Sequence, residues 1–385
     1  ATATGLPGPL MKSPFAWKQH GQCGRWVTDV FPHTAKCVDD LAFLMAMTSK
    51  TNVHGPGSYL QNTGFVLPGF PCVGAWIGYA LGRLTDDLPT FIVLPDPRGL
   101  PYNGMGNFGA GFLPANFGGT VVNTAAAVPV PDLAPAPVGK FVTPAASAEG
   151  LELLARMNRS YAADRPDDSR LSARIESYEL AARMQVAAPA VFDLAREPQK
   201  IHELYGTGRP AHEGGFARNC LLARRLVERG VRFVQVWSGP AGATNNWDNH
   251  GNIPKELPPA ARQVDQPIAA LLHDLKARGL FEDTLVVWTS EFGRMPFTQN
   301  SVGRDHNGGT FVTWLAGAGI RGGTSHGESD EFSCRAADDK TTGYDLHATI
   351  LHLMGIDHER LTVRHNGSDR RLTDVHGHVI DAILA

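Results

Sequence analysis

Four short apolar runs rich in β-branched and aromatic residues punctuate this chain: TFIVLP at 90–95, RFVQVW at 232–237, TLVVWTS at 284–290 and FVTWLAG at 311–317. Runs this brief, apolar throughout rather than alternating, suit strands buried on both faces of a mostly parallel sheet. Helical periodicity fills the spaces between them. In VDQPIAALLHDLKARG, Val264, Ile268, Leu271, Leu272 and Leu275 mark one face, with Pro267 near the start and Gly279 just past the end. DLHATILHLMG repeats the device, with Leu346, Ile350, Leu353 and Met354 inward and Gly355 as the C-terminal cap. Strand–helix alternation predicts an α/β layered fold whose sites lie at the carboxyl ends of strands.

At 385 residues the chain suits one large α/β domain with insertions, or two domains, and 43% hydrophobic residues suffice for a substantial core. A formal net charge of −3 excludes a nucleic-acid partner held by bulk charge. Five scattered cysteines lack CxxC spacing, so they carry no zinc signature, and only Cys23 and Cys37 hint at a disulfide. No apolar run reaches membrane-spanning length, and ATATGLPGPLMKSPF does not read as a signal peptide. Residues 100–150 are rich in Gly, Pro and Ala and read as a long loop insertion, of the kind that serves as a lid or faces substrate. The charged stretch that follows, about 150–185 and including RLSARIESYELAARMQ, reads as a solvated helical insertion.

Four polar clusters sit where strands end. KTNVHGPGSYLQNTG, from Lys50 to Gly64, looks like the start of an anion-binding helix with His54 at its head and, a turn later, Ser58, the nearest hydroxyl and a candidate nucleophile whose favoured role is capping. NNWDNHGN places Asp248 and His250 after the RFVQVW strand, and TSEFGRMP places Glu291 and Arg294 at the end of TLVVWTS. GRDHNGG carries Arg304, Asp305 and His306 just before another strand. Asp, His and Glu supply ligands for zinc, manganese or calcium, and the guanidinium forks of Arg294 and Arg304 suit an anionic group. Each cluster taken alone also has a plain structural reading, as a helix cap or a surface ion pair; their shared placement at strand ends is what points to one site.

Several phrases resemble known families. VDQPIAALLHDLKARGLFEDTLVVWTSEFGRMP is similar to the helix–strand segment of the alkaline phosphatase superfamily, particularly sulfatases and cofactor-independent phosphoglycerate mutases. NVHGPGSYLQNTG, RIESYELAARMQ, CLLARRLVERGVRFVQV, WDNHGN, SEFGR, GRDHN and DLHATILHLMG together resemble, over almost the whole chain, the sulfatase-like bacterial family named domain of unknown function 1501. The resemblance implies an alkaline-phosphatase-like three-layer sandwich with a mostly parallel central sheet, formed by one domain over residues 1–385. It also implies a metal-dependent hydrolase of phosphate or sulfate esters, small-molecule or carbohydrate, exported to the periplasm or cell surface. The implied metal is zinc first, with calcium, manganese or magnesium as the other candidates.

The carry-over is uneven. Asp248 and His250 resemble the superfamily's aspartate–histidine pair, at tighter spacing than D-x-x-x-H. Glu291 takes the place of the aspartate in S-D-H-G, and Phe292 replaces the histidine after it. His306, with Asp305 beside it, resembles the late histidine ligand. The metal set carried over is therefore Asp248, His250, Glu291, Asp305 and His306. The superfamily's first strand, with its aspartate, has no counterpart before NVHGPG, which implies an incomplete two-metal site. In register with the sulfatase motif C-x-P-S-R-x-x-x-x-T-G, His54, Pro56, Thr63 and Gly64 put His54 at the nucleophile position. Imidazole can act as nucleophile, general acid or ligand, but it cannot become formylglycine, so ordinary sulfatase chemistry is excluded there. The other reading is a non-catalytic protein of this fold that binds an anionic or carbohydrate ligand.

Overall fold

The computed structural model describes residues 5–126, 130, 143–166, 168–242 and 246–385. A hairpin of β1 (Trp17–His20) and β2 (Arg25–Thr28) precedes β3 (Leu41–Thr48), which leads into α1 (His54–Thr63). Next come α2 (Val73–Leu81), β4 (Phe91–Leu94) and β5 (Thr120–Val121), then α3 (Pro144–Ala163), α4 (Ser169–Phe192), α5 (Gln199–Tyr205) and α6 (Ala211–Glu228). The second half runs β6 (Phe233–Val236), α7 (Ile253–Ala277), β7 (Val286–Trp288), β8 (Gly293–Gln299), β9 (Gly303–Asn307) and β10 (Phe311–Ala316). Short strands β11 (Ser325–His326), β12 (Glu328–Ser329), β13 (Ala336–Asp338) and β14 (Thr341–Thr342) follow, then α8 (Gly343–Leu353) and a hairpin of β15 (Val363–His365) and β16 (Ser368–Arg370).

The chain is α/β, but its largest sheet is mixed rather than mostly parallel. β3 lies in its middle, with β11 and β14 parallel to it and β10 antiparallel, and β7 pairs antiparallel with β10. Connection length explains the departure. A parallel step needs a crossover of about a dozen residues or more that returns the chain to the starting end. Between β7 and β10 the chain instead folds the β8–β9 hairpin at the carboxyl end of β7, so β10 starts there and runs back. Parallel pairing holds in the separate three-stranded sheet, where β4 lies between β5 and β6 and Phe91 faces Phe233.

One apolar core joins the two sheets. Ala42, Leu44 and Met47 of β3 meet Phe91 and Val93 of β4, Trp76 and Ile77 of α2 and Leu346 and Leu351 of α8. Each fully buried aliphatic side chain here contributes about 2 kcal/mol. On the other face of the mixed sheet α7 buries Val264, Ile268 and Leu272 against Leu41 and Trp314, while Leu271 turns to the cluster of Tyr205 and Leu221. The apolar stripe is the expected one, but the helix begins at Ile253, well before Pro267, and runs through Pro258, Pro259 and Pro267. Asn252 caps it by accepting from Lys255 N, and tertiary packing offsets the hydrogen bonds the prolines cannot make. In α8 the Thr342–Asp345 capping box fixes the start, and Gly355, at φ 76°, closes the end as Ile356 N donates to Leu351 O.

The segment expected to be a Gly/Pro-rich loop contains short helical turns at Gly104–Phe108 and Ala115–Phe117 before β5; its residues 127–129 and 131–142 lie outside the described residues. Over the stretch read as a helical insertion lie α3 and α4. Cys23 and Cys37 are both free thiols, the first exposed and the second buried, so the hinted disulfide is absent.

Candidate functional site

The carboxyl ends of β3, β6 and β7 open onto one place, and the β8–β9 hairpin closes it. From β3, residues 49–53 carry the chain into α1, whose first residue is His54. After β6, a loop is folded by Asn246, whose Oδ1 accepts from Asp248 N at 2.7 Å, and which presents Asp248 and His250. Backbone bonds from Arg304 N to Asn249 O and from Val302 N to Gly251 O hold this loop against β9. Only a glycine fits at 303, because a Cβ there would lie 1.8 Å from His250 O. Glu291 follows β7, and Arg294 and His306 are cross-strand partners in the β8–β9 hairpin, so both reach the same face.

Asp248 is the centre. Its Oδ1 lies 2.8 Å from His250 Nε2, 2.9 Å from His306 Nε2 and 2.6 Å from Arg294 Nη2. Its Oδ2 lies 3.1 Å from His54 Nε2. The far nitrogens of all three rings are engaged by acceptors. His306 Nδ1 donates to Asn52 O at 2.6 Å, His54 Nδ1 to Glu291 Oε1 at 2.6 Å, and His250 Nδ1 to Gln299 Oε1. Each neutral ring therefore carries its proton on Nδ1 and turns its Nε2 lone pair toward Asp248.

Burial pulls the His54 imidazole down, but its contacts with Asp248 and Glu291 outweigh that and raise its pKa to about 9. Burial pushes the Asp248 carboxyl up, yet His306, His54 and Arg294 together hold it well below the usual carboxylate range.

These donors fit a divalent ion. His250 Nε2, His306 Nε2 and Asp248 Oδ1 form a triangle with edges of 2.8, 2.9 and 3.0 Å. Donors about 2.1 Å from an ion lie about 3.0 Å apart on adjacent corners of an octahedron and about 3.4 Å apart in the tetrahedron usual for zinc, so the triangle would open by about 0.5 Å around zinc. Two imidazole nitrogens and a carboxylate oxygen converge here beside the Arg294 guanidinium, and a divalent ion could take the place of the ring protons that otherwise face Asp248. The ligand atoms of His54, Asp248 and His306 likewise lie within 4.8 Å of one another. The outer acceptors Gln299 and Asn52 are the partners that orient histidines at metal sites.

Other expected site residues point elsewhere. Asp305 accepts from Gly5 N and His306 N, both at 2.8 Å. Arg304 donates to Met295 O at 2.8 Å and Met11 O at 2.7 Å, tying the N-terminal segment to the hairpin. Ser58 Oγ is buried and donates to Asn107 Oδ1 at 2.7 Å, on the packed side of α1. Glu291 reaches His54 rather than the triangle of Nε2 and Oδ1 atoms. Sequence reasoning had no means of naming Gln299, the Asn52 carbonyl or Tyr102, whose ring stacks on His54 with centroids 4.7 Å apart and planes 3° off parallel. Phe292 packs on His54 as well, at 5.1 Å.

An α/β protein with a histidine–aspartate centre at strand ends is the class that this fold and site define. Within that class the chain belongs to the family DUF1501, described as a protein of unknown function, whose model matches residues 1–384. No curated protein matches the chain. Among solved structures it is similar to Ps i-CgsB in complex with k-i-k-neocarrahexaose, at 11% identity and TM-score 0.41, over 84% of this chain and 66% of that one. It is similar to the PsFucS1 sulfatase from Pseudoalteromonas sp. at 13% identity and TM-score 0.38, over 86% of this chain and 63% of that one. It is also similar to the phosphonate monoester hydrolase SpPMH from Silicibacter pomeroyi, at 15% identity and TM-score 0.37, over 84% and 68%. The chain thus spans about two thirds of the length of these structures.

Proposed function

We propose that this protein is a metal-dependent hydrolase of phosphate or sulfate esters, built as one alkaline-phosphatase-like domain with residues 100–150 and 150–185 as insertions. The observation that carries the reading is the convergence of His250 Nε2 and His306 Nε2 on Asp248 Oδ1, with every outer ring nitrogen satisfied by an acceptor. In this reading Asp248, His250 and His306 hold the ion, and imidazole donors favour zinc over calcium or magnesium. Such an ion polarises an ester oxygen and lowers the pKa of bound water.

The chain's own residues then set the stage. Arg294, already on Asp248 Oδ1 and on the carbonyls of Trp247 and Arg304, fixes the carboxylate and adds positive charge beside the place where an anionic ester would sit. Tyr102 and Phe292 wall off His54 from water. The reading extends to an exported protein acting on a small-molecule or carbohydrate ester. Among the described residues no helix is long and apolar enough to cross a membrane.

The experiment is turnover of 4-nitrophenyl phosphate and 4-nitrophenyl sulfate by the zinc-loaded chain, with chelation and metal add-back. Hydrolysis of one ester class that is lost on chelation and restored by zinc supports the reading. Phe292 at a ligand position of the resembling enzymes, with Arg304 committed to backbone carbonyls, favours the alternative of a non-catalytic ligand-binding protein. Stoichiometric zinc with no turnover of any ester would decide for that alternative.

A further inference from the structure

We propose that His54 is a ligand of the ion through Nε2, with Glu291 as its positioning residue, and that it is not a nucleophile. The inference rests on the metal-dependent reading above and assigns the residue that stands at the nucleophile position of the resembling sulfatases. A histidine nucleophile needs an unprotonated nitrogen with a clear line to the substrate. His54 has none. Its Nδ1 proton is held by Glu291 Oε1 at 2.6 Å, and its Nε2 faces Asp248 Oδ2 at 3.1 Å, a buried carboxylate rather than open space.

The Nε2 atom is itself buried and has no aligned hydrogen-bond partner among the described residues. A proton on Nε2 lies off the line to Asp248 Oδ2, 3.1 Å away, and a divalent cation taking its place would meet both atoms. The ring cannot swing outward to find another partner. Tyr102 stacks on one face, Phe292 packs at 5.1 Å, and His306 meets it edge-on at 4.5 Å.

Glu291 is brought to His54 by the architecture of α1. A Cβ at Gly57 would lie 3.1 Å from Glu291 Cβ and 3.2 Å from its Cγ, so the missing side chain gives the carboxylate its room. The resulting Glu291–His54–Asp248 line repeats the arrangement of the other two rings, each with Nδ1 on an acceptor and Nε2 on Asp248. A carboxylate behind a histidine fixes its tautomer and raises its strength as a donor to metal. The helix head that binds a substrate anion in resembling enzymes is here turned to the metal.

The test is titration of the full chain with Co²⁺, read by its visible absorption bands, followed by Zn²⁺ competition. His54→Ala should weaken Co²⁺ binding more than 100-fold and shift the bands, beyond the about 10–100-fold typical of an outer partner. Glu291→Gln should weaken binding within that smaller range and leave the band positions in place. Should His54→Ala not fold, His54→Gln, which keeps a polar side chain between Tyr102 and Phe292, takes its place. Wild-type affinity and spectrum in the His54 variant, with binding lost in Asp248→Ala, would overturn the ligand role and leave the hydrolase reading standing. A wild-type chain that takes up neither Co²⁺ nor Zn²⁺ would overturn both.

Discussion

His347 offers a measurable handle on how α1 is held. It sits in α8, fully buried, and its Nε2 donates to Gln61 O, near the end of the helix that begins with His54. Burial pushes its pKa down to about 4 from an ordinary value of 6.5, the Gln61 contact offsetting this only in part. Below pH 6.5 the unfolded chain takes up a proton at this ring that the folded chain refuses until about pH 4. Folding stability therefore rises with pH across that window and falls as the solution is acidified. With these two values the loss between pH 7 and pH 5 works out at about 2 kcal/mol, approaching about 3 kcal/mol at pH 4. The assay is urea unfolding of the wild type and of His347→Gln, which keeps a donor for Gln61 O but does not titrate. Other groups contribute to both curves and cancel in the difference. The stability gap between the two proteins should change by about 2 kcal/mol from pH 7 to pH 5, in favour of the variant. Parallel curves, with a gap independent of pH, would refute the reasoning.

Two further substitutions test the frame around the site. Arg224, almost fully buried, pairs with Glu197, Glu228 and Asp274 at 2.8 Å each; Arg224→Met leaves those carboxylates to Arg225 and Arg278 alone and should cost about 2–3 kcal/mol in urea unfolding. A cost under about 1 kcal/mol would show that those carboxylates take up protons or water at little expense. Gly64 ends α1 at φ 79°, and a Cβ there would lie 2.4 Å from Leu372 O. Gly64→Ala should therefore destabilise by at least about 2 kcal/mol, whereas an increase in thermal stability would contradict the left-handed cap.

The sequence carried the elements with strong signals and missed those decided by tertiary packing. TFIVLP, RFVQVW, TLVVWTS and FVTWLAG coincide with β4, β6, β7 and β10, because short apolar runs bounded by polar residues have few other uses. The run LAFLMAMT, rich in Leu, Ala and Met, is equally a helix in composition, yet it is β3 at the middle of the largest sheet. Its central place comes from three pairing segments distant in sequence, which no local pattern displays. The direction of β10 was hidden for a related reason: GRMPFTQ and GRDHN look like loop until their pairing as β8 and β9 is known.

The candidate site shows the same division. Asp248, His250, Glu291 and His306 stood out by residue type and by position after strands, and the fold brings Asp248, Glu291 and His306 onto His54, with His250 on Asp248. What spacing could not give was aim. Arg304 and Arg294 sit on neighbouring strands of one hairpin, yet one guanidinium meets Asp248 and the other meets backbone carbonyls. Asn52 acts through its main-chain oxygen, which carries no side-chain signal at all, and Gln299 acts only because β8 places it beside the Asp248 loop.

The most direct measurement is elemental analysis of the purified full chain after equilibrium dialysis against zinc, beside Asp248→Ala treated identically. The account predicts about one tightly held zinc ion per wild-type chain and none in the variant. Wild-type protein that emerges without zinc, or Asp248→Ala that retains it in full, would contradict the metal centre on which the proposed chemistry stands.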